Sequence, residues 1–196
     1  FLDMEKRVQA GPSQDEIPLP KLPEVHWERF PKFELPPSTE EYGVAIAASL
    51  AKHFIRQGRN VGLITYANAH HRDFAQSDRG ERQLTRIYEM LAVTQANGSI
   101  PLAEVLAAET MRLNRNTTIL IVTPAVDVNW VVAARNLNNR GVKVTGIVLD
   151  PGSFGMPYNS VDTEIELTAS HIPHYVVHCG DELGEALANA RAGNRA

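Results

Sequence analysis

The densest set of metal-ligating side chains in the sequence is His171, His174 and His178, three of the seven histidines. In an extended strand successive side chains alternate faces, so His171 points away from His174. Pro173 interrupts the segment further, and scattered surface histidines explain the set better than a zinc site. The neighbouring His70 and His71 sit in a loop, where adjacent residues rarely ligate one ion. Gly152-Ser153-Phe154-Gly155 lacks the G-x-S-x-G spacing of a nucleophile elbow and reads as a flexible loop. Cys179 stands at a strand end just before a helix start, where a helix dipole can stabilise a thiolate. His178 points the other way along that strand, so an inert, buried thiol is the simpler reading. Asp162, Glu164 and Glu166 alternate along 161–167 and place three acids on one solvent-facing side of a possible strand. The phosphate-cradling patterns G-x-G-x-x-G and G-x-x-x-x-G-K are absent from the sequence.

The elements that must position any chemistry are plainer. Ser38 and Glu41 have capping-box spacing ahead of a helix over Thr39–Gln57. Tyr42, Ile46, Leu50 and Phe54 recur there at helical period, with Ala45, Ala47, Ala48, Ala51 and Ile55 widening the apolar surface. Val61–Tyr66 follows as a strand short and apolar enough for burial on both faces. His71–Gln76 reads as an edge strand, and Asp78 with Glu81 repeats the capping-box spacing before a stripe of Leu84, Ile87, Tyr88 and Leu91. Pro101 suits a first helical turn, with Leu102, Val105, Leu106 and Leu113 as the buried stripe. Thr117–Thr123 is a strand, Asp127 caps a helix carrying Trp130, Val131, Ala134 and Leu137, and Val142–Leu149 is the next strand. A loop from Asp150 to Ser160, a strand over Tyr175–Cys179 and a helix from Asp181 complete the pattern. Alternating strands and helices predict a doubly wound, mostly parallel sheet with helices on both faces and one antiparallel edge strand.

Composition narrows the function classes. With 196 residues the chain is long enough for one good core, and it reads as a single domain over 1–196. A net charge of -4 gives no electrostatic footprint for nucleic acid. One cysteine excludes an internal disulfide, and no apolar run reaches the roughly 18 residues of a membrane span. Between 11 and 37 lie seven of the twelve prolines together with Val25, Trp27, Phe30, Phe33 and Leu35. This Pro-rich insertion is expected to hug the surface of its own domain in extended form. Phe1-Leu2-Asp3 reads as the end of a strand already under way, so a piece of a longer protein is expected.

The blocks STEEYGVAIAASLAKHFIRQGRNVGLITYA, DRGERQLTRIYEMLAV, NGSIPLAEVLAAE and TTILIVTPA resemble, in order and spacing, the bacterial family called domain of unknown function 58. Its C-terminal part is von Willebrand factor A-like. The likeness covers most of Ser38 to Asp150, with Phe1 to Val8 similar to the family's first strand; the insertion lies outside it. In the wider superfamily a divalent cation sits at the C-terminal edge of the sheet, on Asp-x-Ser-x-Ser, a threonine and a later aspartate. By this resemblance Asp3 matches the first aspartate, and Glu5 and Arg7 take the serine positions. Ile100, beside Ser99, replaces the threonine, and Pro124 replaces the last aspartate. Ile100 and Pro124 bring no side-chain oxygen, and Arg7 brings a positive charge. The expectation is a vestigial site without metal or cofactor, in which Asp3 and Arg7 form a surface pair.

The resemblance implies a non-enzymatic interaction scaffold working with a MoxR-type AAA+ ATPase in assembly or maturation of other proteins. It places the domain at the cytoplasmic face of a bacterial membrane, attached through a segment outside this chain. Partner-binding residues are expected at Ser99, Pro101, Pro124, Asp127 and Trp130. The alternative is a hydrolase-like α/β enzyme with Asp3, Glu5, Ser99 and Thr123 at the same sheet edge. A pocket with perturbed carboxylates would favour the enzyme, and a flat or proline-capped edge the scaffold.

Overall fold

The computed structural model describes residues 1–12, 35–68 and 71–188. Most of the expected Pro-rich insertion therefore lies outside the described residues, as do His70 and the side chain of His71. What is described is a mixed α/β fold. Helix α1 (Thr39–Arg56) leads into β1 (Val61–Asn68) and β2 (His71–Asp78), followed by α2 (Glu81–Ala92) and α3 (Leu102–Glu109). Strand β3 (Thr118–Thr123), α4 (Asn129–Asn139), β4 (Lys143–Leu149), α5 (Val161–Ala169), β5 (His174–Val177) and the short α6 (Leu183–Ala186) complete the order.

Strands β3, β4 and β5 form a three-stranded parallel sheet in that order, and β1 and β2 an antiparallel pair. Leu2 joins them: it bridges Thr65 of β1 and Val122 of β3, in parallel with both. The expected first strand is thus present as a bridge, with Asp3 and Glu5 just beyond it. One core lies where Leu2, Met4, Tyr42, Ile46, Ile55, Leu84 and Ile87 meet Val122, Ile147 and Leu149. The other packs Leu102, Leu106, Trp130, Leu137 and Leu167 against Ile119, Ile121, Val144 and Val148. Neighbouring residues Ile121 and Val122 belong to different cores, as strand alternation demands.

Several local expectations change. Ser38 precedes α1 but makes no side-chain capping bond. Thr39 is used instead, its hydroxyl accepting from Ala10 N–H (2.8 Å) while its own N–H donates to Ala10 O (2.9 Å). Glu40 Oε1 meanwhile accepts from Ala96 N–H (2.7 Å), so the first acids of the helix tie down other segments. Helix α2 starts at Gly80 rather than from an Asp78 cap. In β1, Leu63, Thr65 and Ala67 are buried, whereas Gly62 is exposed and Ile64 and Tyr66 are half-buried, so only one face is sealed. The 161–167 segment is a helix, because Thr163 and Leu167, four apart, are its buried positions; the alternation of acids carried no strand signal. The 151–154 loop is an ordered 3-10 turn, with Asp150 Oδ2 accepting from Ser153 N–H (3.2 Å) and Asp150 Oδ1 from Ser160 N–H (2.9 Å). Strand β5 begins at His174 and leaves Cys179 beyond its end; Asp181 does not start the last helix but accepts from His178 N–H (2.8 Å).

Candidate functional site

The C-terminal edge of the sheet gathers three segments. Residues 3–5 run out from the central bridge, 123–127 leave β3 toward α4, and 98–101 pass alongside into α3. Gly98 fixes the third segment against the first: its N–H donates to Met4 O, and its carbonyl accepts from Lys6 N–H, both at 2.9 Å. A Cβ on Gly98 would run into the carbonyl oxygens of Met4 and Tyr66, so this close approach requires glycine.

Asp3 is buried, and both carboxylate oxygens have internal partners. The Thr123 hydroxyl donates to Oδ2 (2.6 Å) and the Glu5 N–H to Oδ1 (3.0 Å). Thr123 Oγ in turn accepts from Ala125 N–H (2.9 Å), which orients it. Burial drives the Asp3 pKa up to about 6, and the bonds from Thr123 and Glu5 N–H only partly offset it. Glu5 is buried too, at 8 % exposure. Its pKa is raised first by burial; Arg7 lowers it, and the charges of Asp127 and Glu104 raise it further. The crevice beside these acids is lined by Asp3, Glu5, Ile64, Ile100, Leu102 and Val105 among others and holds about 10 Å³, the space of a single water.

The sequence-predicted site residues separate into two groups. Ser99, Pro101 and Asp127 are exposed on the lip of this edge, with Ile100 half-buried between them. Pro124 is buried, and Trp130 is a core side chain at 1 % exposure whose Nε1–H donates to Ala125 O (3.1 Å). The inward face of α4 carries Trp130, so neither it nor Pro124 presents a partner-contact surface. Asp127 does anchor the start of α4, accepting from Asn129 N–H (2.9 Å). The expected Asp3–Arg7 surface pair does not form, because Asp3 is buried against Thr123 while Arg7 is exposed.

A divalent cation does not fit these donors. Ile100 and Pro124 contribute no oxygen, and among the described residues no group of three or more His, Cys, Asp or Glu converges on one point. The carboxy-terminal histidines are likewise apart in role: His174 is buried with Nδ1 at 3.2 Å from Ile172 O, and His178 lies 3.4 Å from Asp181.

Sequence reasoning missed Glu104, whose only signal is its place in the first turn of α3. It also missed a fully buried acid, Glu109, which accepts from the Tyr66 hydroxyl (2.9 Å) and pairs with Arg72 (2.7 Å) and Arg112 (2.8 Å). No family model, no curated protein and no solved structure matches this chain.

Proposed function

We propose that this chain is a non-enzymatic interaction domain that offers the C-terminal edge of its sheet to a protein partner. The observation that carries the reading is the closed state of that edge. Asp3 spends both oxygens inside the fold, the neighbouring crevice has room for a single water, and the exposed groups lie on the lip above. Such an edge is a surface for a macromolecule rather than a cavity for a substrate. The central position of Leu2 between β1 and β3 supports a von Willebrand factor A-like, doubly wound architecture with a vestigial metal site. On that architecture rests the further reading that the partner is a MoxR-type AAA+ ATPase, met at the cytoplasmic face of a bacterial membrane during assembly or maturation of other proteins. No described helix is long and apolar enough to cross a membrane.

The enzyme reading draws on the raised pKa values of Asp3 and Glu5, which suit proton carriers. The size of the crevice weighs against it. The test is complex formation between this chain and a MoxR-type ATPase, measured for wild type, Asp127→Lys and Ser99→Arg. Both substitutions are at exposed positions and are expected to weaken the complex about tenfold; Asp127→Lys also removes the acceptor of the Asn129 N–H at the start of α4, so its melting temperature falls modestly as well. Undiminished affinity in both variants would move the interface elsewhere.

A further inference from the structure

We propose that Asn97-Gly98 is a self-modifying site: the Asn97 side-chain amide converts without an enzyme to an aspartyl or isoaspartyl group, at a rate set by how firmly Gly98 is paired with residues 4–6. The inference does not depend on the identity of the partner. This is the chain's one Asn-Gly pair. A following glycine favours the reaction, because no Cβ obstructs its amide nitrogen on the way to the asparagine side chain. Any other residue at 98 would slow it, but the fold accepts none. A Cβ there would run into the carbonyl oxygens of Tyr66 and Met4. Asn97 is exposed on the lip, and Gly98 behind it is buried. The close approach that builds this edge thus carries a labile pair with it.

In the reaction the Gly98 nitrogen gives up its proton to hydroxide and forms a bond to Asn97 Cγ. The Cγ–Nδ2 bond breaks, and Nδ2 leaves as ammonia. Water then opens the cyclic imide at either carbonyl. Opening at the backbone carbonyl leaves an isoaspartyl link, with an extra carbon in the main chain. The fold restrains the first step. Gly98 N–H donates to Met4 O, and Gly98 O accepts from Lys6 N–H, both at 2.9 Å. Burial keeps hydroxide from that N–H, and the paired carbonyl stops the peptide plane from turning. Asn97 Nδ2 donates to Gln95 Oε1 (3.2 Å) and Asn97 N–H to Gln95 O (2.8 Å), which draws the side chain toward 95. Modification therefore waits until the pairing of Gly98 with residues 4–6 opens. Once the isoaspartyl link has formed, its extra carbon puts Gly98 out of step with Met4 and Lys6, and the pairing does not re-form. The step is one-way, and it detaches the 98–101 segment from residues 3–5.

The test incubates the full chain in mildly alkaline buffer, folded and in concentrated urea. Ammonia release is followed together with the mass and isoaspartyl content of the proteolytic peptide that contains Asn97. The site should deamidate readily in urea and at least about tenfold more slowly in the folded chain, in proportion to the protection of the Gly98 amide against hydrogen exchange. Asn97→Gln should remove most of the ammonia released from this peptide in urea. Asn97→Asp adds the charge without lengthening the main chain, and should leave the Lys6 and Gly98 amide signals in place. The aged, isoaspartyl-containing chain should lose them. Equal rates in the folded chain and in urea, or a Gly98 amide that exchanges at the unfolded rate, would overturn the proposal. So would an isoaspartyl chain that keeps both amide signals, or their loss in Asn97→Asp.

Discussion

Asp3 holds its carboxyl group where the charged form is disfavoured, and that gives the stability of the domain a pH signature. Its pKa is about 6 in the folded chain against an ordinary 3.8. Between those values the unfolded chain has released the proton and the folded chain retains it, so stability falls as pH rises through this window. The loss levels off above about pH 6 at about 3 kcal/mol. Asp3→Asn cannot ionise and keeps one acceptor oxygen where the carboxyl group offers two, with its NH2 facing the other donor. Urea unfolding at pH 4 and pH 7 should show the variant gaining about 2 kcal/mol relative to wild type across that interval, since the unfolded carboxyl is already more than half ionised at pH 4, whereas parallel curves would contradict it. Asp3 and Glu5 could be singled out in the sequence only as acids just beyond a strand end. Their burial was not legible there, because it depends on Thr123, 120 positions away.

At the scale of elements, period was the reliable signal and caps were not. Helix α1 occupies Thr39–Arg56 as its apolar spacing predicts, but its start is secured by Thr39 and Glu40 rather than Ser38 and Glu41. Ile46 is fully buried and Leu50 only partly, so the two positions differ in cost. Ile46→Ala should destabilise by about 2–5 kcal/mol and Leu50→Ala by less, measured by urea denaturation; equal small losses would place α1 at the periphery. Helix α3 carries the plainest missed signal. The stripe Leu102, Val105, Leu106 continues at i+7 to Glu109, so an acid stands at a core position. A buried acid at such a place requires partners; Arg112 lies at i+3 and is within reach of sequence spacing, whereas Tyr66 and Arg72 come from the β1–β2 hairpin, which spacing alone does not bring to it. Their hydrogen bonds outweigh burial and hold the Glu109 pKa below its ordinary 4.5. The clasp is therefore intact at neutral pH and its contribution is lost as pH falls through that depressed value. Glu109→Ala should cost about 3–5 kcal/mol at pH 7, because it leaves Arg72 partly buried without its anion. A cost below about 1 kcal/mol would show that the β1–β2 hairpin is held by apolar contacts alone.

Across the whole molecule, the sheet reads from sequence in its strands and in its antiparallel β2, and the joining of its two parts rests on a single residue. Leu2 is central because Phe1, Leu2 and Asp3 insert between β1 and β3, with Leu2 N–H donating to Ile64 O (3.0 Å) and Asp3 N–H to Val122 O (2.9 Å). Phe1-Leu2-Asp3 read as the end of a strand, but no local pattern in three residues announces a place between β1 and β3. The same insertion places Asp3 and Glu5 at the sheet edge, so fold and candidate site were legible together or not at all. The placement of Trp130 and Pro124 shows the converse: residues near the edge in sequence turned inward, since α4 needs an apolar face against β3 and β4.

The central claim is that this edge works as a metal-free binding surface built on carboxylates. Calorimetric titration of magnesium into wild type and Asp3→Asn tests it most directly. The account predicts no binding tighter than about millimolar in either protein, the weak regime of few and poorly converging oxygen ligands. Micromolar binding to wild type that disappears in Asp3→Asn would contradict it.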